Sequence, residues 1–450
     1  MIRLSKITIE NFKNVMNGQI DLASAENGPS ILGLYGQNGS GKTSLVEAVQ
    51  MLKLLFMGKV LPVSFGDAIH VDSPYARVLY SFSVQEESPE GELTETGQLQ
   101  YDVSIKLRQD TELIENASAA VDVFGEVLSY RRAENGKTGR WITLIDTSSD
   151  VRPFAPAKRV GELFTKEKGL KTDLEYRMQF ARWTGRSSIF CEDFQRILTE
   201  KGVSDGEGGQ LVRLIRRVSY YGKNELFVIS KADIGELSLP NGTLVPLDES
   251  VTIPEADEKA LGRIIEHMNL VLKEIIPGLV IGFKVLAREL MPNGENGVTL
   301  QLVSEKNEKT IPLKYESEGI KKIISVLHLL IRVYNQASIT VAIDELDAGI
   351  FEYLLGELLR ILAEKGKGQL IFTSHNLRPL ETIDKEFVAF TTTNPNARYL
   401  RMSGIRAEKN LRDYYYRDLQ LGGQKETLYD PTNNFDIALA FRMAGEEPDA

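Results

Sequence analysis

Apolar and polar positions alternate with a period of two at the start of the chain, so residues 2–10 and 17–22 read as short strands joined by a turn. The run 31–35 is continuously apolar, as in a strand covered on both faces, and 44–52 follows with helical spacing. Alternation returns from Tyr75 to about Asp146, in 77–84, 100–107 and 141–145, with polar turns between; this is the pattern of an antiparallel β layer. The acidic, turn-rich stretch 85–97 reads as the end of a hairpin. From about Ala157 to Val218 the period becomes helical, carried by Leu174, Met178, Phe180, Ala181, Phe190, Phe194, Ile197 and Leu198. Glycines at 202–209 break this region and read as a mobile linker. They could be taken for a phosphate loop, but no lysine follows and no strand precedes. A helix is expected over 254–276, stopped by Pro277-Gly278, then strands near 279–287 and 297–304. The runs 339–343 and 369–374 read as buried strands, and His328, in the apolar helix 323–333, reads as packed core. There is no internal repeat and no sustained heptad pattern.

The strongest chemical signal lies between the strand at 31–35 and the helix at 44–52. Gly36-Gln37-Asn38-Gly39-Ser40-Gly41-Lys42-Thr43 fits the phosphate-loop pattern G-x-x-x-x-G-K-[ST], in the strand–loop–helix setting that the pattern requires. Glycines let successive N–H groups turn toward an anion, and the helix N-terminus adds positive potential. Lys42 is expected to reach the β- and γ-phosphates of ATP, and Thr43 to help hold Mg²⁺. The strand at 339–343 ends in Asp344 and Glu345. Beside a phosphate loop, the first carboxylate would assist the metal and the second would polarise the attacking water. His375 follows the strand at 369–374, where an α/β sheet binds ligands. Ser317 is positioned to cap the next helix, and Gly319 to allow close backbone approach.

Composition narrows the class without naming a substrate. The net charge of −10 argues against wholesale wrapping of nucleic acid, although a local contact stays open at the basic and aromatic cluster 213–223. A solvated helix face is the commoner explanation for such a cluster. The single cysteine, Cys191, can form neither an intrachain disulfide nor a metal-binding cysteine pair. No apolar run is long enough to span a bilayer, and residues 1–6 enter a strand pattern rather than a signal peptide. A cytoplasmic protein with no membrane contact is expected, in which the sequons 116–118 and 241–243 carry no glycan.

The order of these features resembles an ABC-type ATPase head of the SMC, RecF and OLD group. The opening 4–14 resembles that group's first strand with its Asn-Phe-basic turn, which adds Lys13 to the expected ATP contacts. Gly36 to Thr43 resembles Walker A, so Asn38, Gly39, Ser40, Gly41, Lys42, Thr43 and Ser44 would hold the phosphates. Ser317-Glu318-Gly319 resembles the shortened signature motif, with Glu318 departing from the second-position glycine. Residues 341–345 resemble Walker B, giving Asp344 with Thr43 as the metal pair and Glu345 as the catalytic base. Asp347-Ala348-Gly349 resembles the D-loop, and Ser374-His375-Asn376 the switch-histidine loop. No Q-loop glutamine is evident; Glu126 is the candidate for that position.

The resemblance implies an α/β fold with a mostly parallel core sheet, an antiparallel β layer and an inserted, mainly helical subdomain. The expected division is an N-terminal ATPase lobe at 1–150, the insertion at 151–260, a C-terminal ATPase lobe at 261–405 and a tail at 406–450. It also implies that two heads pair head-to-tail around two ATP molecules, with Ser317 acting on its partner's nucleotide. The tail at 410–416 and 421–424 is similar to those of ATPases in anti-phage operons of the Septu and PARIS types and of partners of RloB-like proteins. The expectation is an ATPase, slow in turnover, that controls a separate effector such as an HNH, TOPRIM or RloB-like nuclease. The 75 residues after His375 are too few for a fused TOPRIM domain. The competing readings are a DNA repair or recombination ATPase of the RecF or zinc-hook kind, an ATP-bound scaffold with little turnover, and a transporter subunit.

Overall fold

The computed structural model describes residues 1–22, 30–87, 93–108, 121–134, 137–149, 154–230, 235–239, 242–306, 309–402 and 410–445. At its centre is a six-stranded sheet, in the order Tyr399–Leu400, Val388–Thr391, Ser30–Tyr35, Gln369–Thr373, Thr340–Ile343 and Leu226–Ile229. The inner pairs are parallel, and the edge pair of Val388–Thr391 with Tyr399–Leu400 is antiparallel. Both faces of this sheet are covered, so its strands are apolar without alternation. Across the molecule as a whole, antiparallel pairing dominates. The expected mostly parallel sheet therefore describes this one layer and not the remaining sheets.

Parallel registry sets the site. Leu34 lies opposite Thr373, and Phe372 opposite Ile343, so three strands end at the same level. The segments that leave them, beginning at Gly36, Asp344 and Ser374, emerge along one edge of the sheet, where ligands of open α/β sheets collect.

A second, antiparallel sheet contains Val15–Asp21, Ile2–Phe12, Tyr75–Glu87, Leu93–Leu107, Val121–Glu134 and Lys137–Thr138, with Ile142–Asp146 paired to Val121–Glu134. The helix Lys42–Phe56 lies between the two sheets and is buried on nearly every side, which its run of Leu, Val, Ala and Met allows. Phe56 ends it among Phe82, Tyr101 and Phe190, with ring centroids 4.6–5.9 Å away. The Gln369 side chain ties the sheets together: its Oε1 accepts from Leu4 N–H at 2.9 Å and its Nε2 donates to Leu4 O at 2.8 Å, replacing a missing strand neighbour.

The helices Lys158–Leu163, Leu170–Trp183, Glu192–Lys201 and Gly206–Asn224 pack into the same core as the antiparallel sheet. Two expectations change here. The glycine cluster is not a mobile linker: Gly206–Gly209 is the first turn of a helix. A Cβ on Gly208 would meet Glu162 O at 2.1 Å, and one on Gly209 would meet Ser204 O at 2.3 Å. Leu226–Ile229, inside the stretch read as mainly helical, is the outer strand of the core sheet. A third sheet, of Ser250–Pro254, Asn296–Lys306, Val280–Leu290 and Lys309–Pro312, joins the helices Glu255–Ile275 and Glu318–Asn335 in the second core.

The tip of the hairpin expected at 85–97 falls partly outside the described residues, as do the sequon at 116–118 and Asn241. No helix among the described residues is long and apolar enough to cross a membrane.

Candidate functional site

A cleft of about 280 Å³ opens at the edge where the three strands end. Lys13, Asn14, Asn38, Gly39, Ser40, Gly41, Lys42, Thr43 and Ser44 line one side, and Glu345, Thr373 and His375 the other. The loop turns on glycines that residues with side chains rarely replace: φ is 75° at Gly39 and 93° at Gly41. Gly41 is the N-cap of Lys42–Phe56, and no side chain caps that helix. The first N–H groups of the helix are therefore left to an anion, with no acidic residue in the first turn to repel it.

The Lys42 ammonium donates to Gly36 O at 2.8 Å and Gln37 O at 2.9 Å, folding back over its own loop. Burial lowers its pKa, opposed by Asp344, Asp347 and Glu345. Such a lysine gains from an anion that restores its charge balance. The loop also leans on residues far away in sequence. Ser40 Oγ shares a hydrogen bond with Thr391 Oγ1, and Tyr399 OH donates to Gly41 O at 3.0 Å. A Cβ at Gly36 would overlap Thr391 Oγ1.

The opposite wall is built from the carboxyl ends of two strands. Asp344 Oδ1 accepts from Thr373 Oγ1 at 2.6 Å and from Thr43 Oγ1 at 3.3 Å, which joins the phosphate-loop helix to the end of the strand Thr340–Ile343 directly. Glu345 holds a left-handed backbone, φ 47°, and its N–H donates to Thr373 Oγ1 at 2.8 Å. That conformation is costly for a non-glycine residue, and it turns the side chain into the cleft instead of along the strand. His375 is exposed at the rim. Its N–H and that of Asn376 both donate to Asp347 Oδ2, at 3.0 and 2.9 Å.

The first turn of the chain completes the cleft. Lys13, at φ 54°, pairs with Glu47 on the Lys42–Phe56 helix. Asn14 accepts from Ser44 Oγ at 3.1 Å and donates to Gly39 O. Among the described residues no cluster of three or more His, Cys, Asp or Glu side chains could hold a metal alone. Thr43 and Asp344 are the pair that would hold Mg²⁺, which would take its remaining ligands from water and phosphate oxygens.

Ser317, Gly319 and Asp347 do not line this cleft. Ser317 caps the helix Glu318–Asn335, accepting from Ile320 N–H at 3.4 Å, and stands exposed. Gly319 packs on the segment 347–349 so closely that a Cβ there would lie 2.2 Å from Gly349 O. Asp347 sits behind His375. Glu126 does not reach the cleft either: it is wholly buried in the antiparallel layer, bonded by Tyr101 OH at 2.6 Å and Ser188 N–H at 2.6 Å, and burial raises its pKa. The Q-loop assignment is thus overturned, since its carboxyl joins two layers of the fold. The basic cluster at 213–223 lies on a helix whose Val218 and Tyr221 are core, while Arg217 pairs with Glu225 and Arg213 donates to Ser204 O. Asn14, Thr373, Thr391 and Tyr399 escaped sequence reasoning. Only the Asn11–Asn14 turn offered a signal, through Asn14.

A family profile described as an AAA domain matches residues 6–126. No curated protein matches the chain. Among solved structures, the SMC head domain from Thermotoga maritima aligns at 14% identity and TM-score 0.37, covering 89% of this chain and 100% of that one. An SMC head domain with a coiled coil and joint from Pyrococcus yayanosii aligns at 10% identity and TM-score 0.43, covering 92% and 100%. The recombination mediator protein RecF aligns at 12% identity and TM-score 0.38, covering 88% and 97%. These likenesses are loose, and the functional reading rests on the residues of the cleft.

Proposed function

We propose that this chain is an ABC-type ATPase head that binds and hydrolyses ATP at a site it shares with a second copy of itself. The observation that carries the reading is the convergence of an uncapped phosphate loop with Glu345, Thr373 and His375 across one cleft. The AAA-domain match, which spans the loop, supports it. Lys42 would leave the carbonyls of Gly36 and Gln37 for the β- and γ-phosphates, while the N–H groups of 39–44 cradle them. Mg²⁺, held by Thr43 and Asp344, would neutralise phosphate charge. Glu345, in the cleft wall, would take the proton of the attacking water, and His375 would contact the γ-phosphate. Ser317, exposed, and Gly319, half-buried, both lie outside their own cleft and are available to the nucleotide of a second head. ATP would then join two heads, and hydrolysis would release them.

Turnover and binding in two variants test this. Glu345→Gln should bind ATP as the wild type does and lose turnover by about 10²-fold or more. Lys42→Ala should lose nucleotide binding itself. Wild-type turnover in Glu345→Gln would remove Glu345 from the chemistry.

We attach one extension: the nucleotide-driven assembly governs a separate effector nuclease in anti-phage defence. It rests on the resemblance of the tail at 410–416 and 421–424. Co-purification of a nuclease from the native operon supports it; defence that survives deletion of every neighbouring gene would sink it. A repair ATPase of the RecF kind is the alternative, marked by stimulation of turnover by DNA.

A further inference from the structure

Lys322 is the anomaly of the second core. Its side chain is 1% exposed, and its ammonium has no hydrogen-bond partner among the described residues. Its neighbour Lys321, also buried, differs in being paired, with the exposed carboxylates of Asp248 and Glu318. The charges that act on Lys322 are Asp344, Asp347 and Glu345, all at the end of the Walker B strand. An ammonium held in the interior without a partner is strongly unfavourable. Asp344 is already engaged by Thr43 and Thr373. Asp347 is only half engaged: Oδ2 takes the N–H groups of His375 and Asn376, whereas Oδ1 is buried and also without a partner among the described residues. A buried cation and a buried anionic oxygen thus stand unpaired in one neighbourhood. They belong to the two segments that meet at the Gly319–Gly349 backbone contact.

We infer that Lys322 is a positioning residue that engages Asp347 when the signature turn is loaded, linking Ser317 to the switch-histidine loop of the same head. This rests on the head-to-tail reading above. A second copy's phosphate on Ser317 pulls on the first turn of the helix Glu318–Asn335. Lys322 is on the next turn, and its long stem carries the ammonium to Asp347 Oδ1. Asp347 then holds the backbone of His375 and Asn376 in the hydrolytic position. Occupancy of one ATP site thereby sets the chemistry of the other, which makes turnover cooperative in ATP.

The full chain carries the test, as wild type, Lys322→Met, Lys322→Arg, Asp347→Asn and the double variant Lys322→Met/Asp347→Asn. Lys322→Met should lower kcat about tenfold or more, bring the Hill coefficient for ATP to about one, and leave the ATP Kd within about threefold. Its melting temperature should not fall, because a buried unpaired charge has gone. Lys322→Arg should recover part of kcat and of the cooperativity. Asp347→Asn should reproduce the kcat loss, and the double variant should lose no more than either single one. Wild-type kcat and Hill coefficient in Lys322→Met would overturn the inference. If Lys322→Met does not fold, Asp347→Asn decides: wild-type behaviour there overturns the inference equally. Absence of ATP-driven pairing in the wild type would instead defeat the head-to-tail reading and, with it, this coupling.

Discussion

At the scale of single residues, the site is assembled by groups whose own conformations are unfavourable. Glu345 accepts a left-handed backbone, and Lys42 is buried against carbonyls of its own loop. His328 shows the opposite case, a titratable group serving the core. It is buried in the helix Glu318–Asn335, and burial pushes its pKa down to about 4, with Arg332 adding to the effect. Between pH 6.5 and 4 the unfolded chain takes up this proton and the folded chain does not, so stability falls as pH falls through that window. The loss reaches of order 3 kcal/mol by pH 4 and is absent above pH 6.5. Melting of His328→Leu at pH 7 and pH 4.5 checks this: the variant should lose less stability on acidification than the wild type. An equal loss would place the acid sensitivity elsewhere. Residue chemistry was legible in the sequence wherever a pattern fixed it, as at Gly36 to Thr43, Asp344 and Glu345. Asn14, Thr373 and Thr391 were not, because a polar residue near a strand end is ordinary until the sheet register brings it to the cleft.

Among elements, the contact that matters most is the one between the start of the Glu318–Asn335 helix and the loop after the Walker B strand. Gly319 and Gly349 meet backbone to backbone, with φ 76° at Gly349. Gly319→Ala would force these segments apart. It should cost about 1–3 kcal/mol in stability and lower turnover while ATP still binds, which denaturant melts and nucleotide titration would measure. Unchanged stability would mean that the contact yields freely. The element pattern was legible where a period was long and clean, as in the strands of the antiparallel layer and the helix Glu255–Ile275. It misled at 202–209, where glycines required by close packing under Glu162 and Ser204 imitate a linker. It also misled at Leu226–Ile229, where four apolar residues carry too little period to separate strand from helix.

On the scale of the whole molecule, two cores lie on either side of the six-stranded sheet. One is shared with the antiparallel layer and the helices of 158–224, the other with the third sheet and the helix that begins after Ser317. The phosphate loop and its helix belong mainly to the first, and the signature turn to the second. One chain therefore presents a cleft that lacks Ser317 and an exposed Ser317 that lacks a cleft. Only the resemblance to paired ATPase heads anticipates this separation; no spacing of residues does. The order of motifs is one-dimensional, and only the fold shows which of them meet.

Subunit mixing tests the shared site most directly. Lys42→Ala and Ser317→Ala, each folded as judged by its melting curve, should each be nearly inactive alone. Mixed in equal amounts, they form heterodimers in which the intact phosphate loop of one chain faces the intact Ser317 of the other. The mixture should recover turnover above that of either variant alone and at most about a quarter of the wild type, since half of the dimers are mixed, each restores one of two sites, and the unloaded signature turn withholds the coupling through Lys322. Recovery in that range is the result the shared site predicts. No recovery, or full activity in Ser317→Ala alone, would contradict it and leave each chain to hydrolyse ATP by itself.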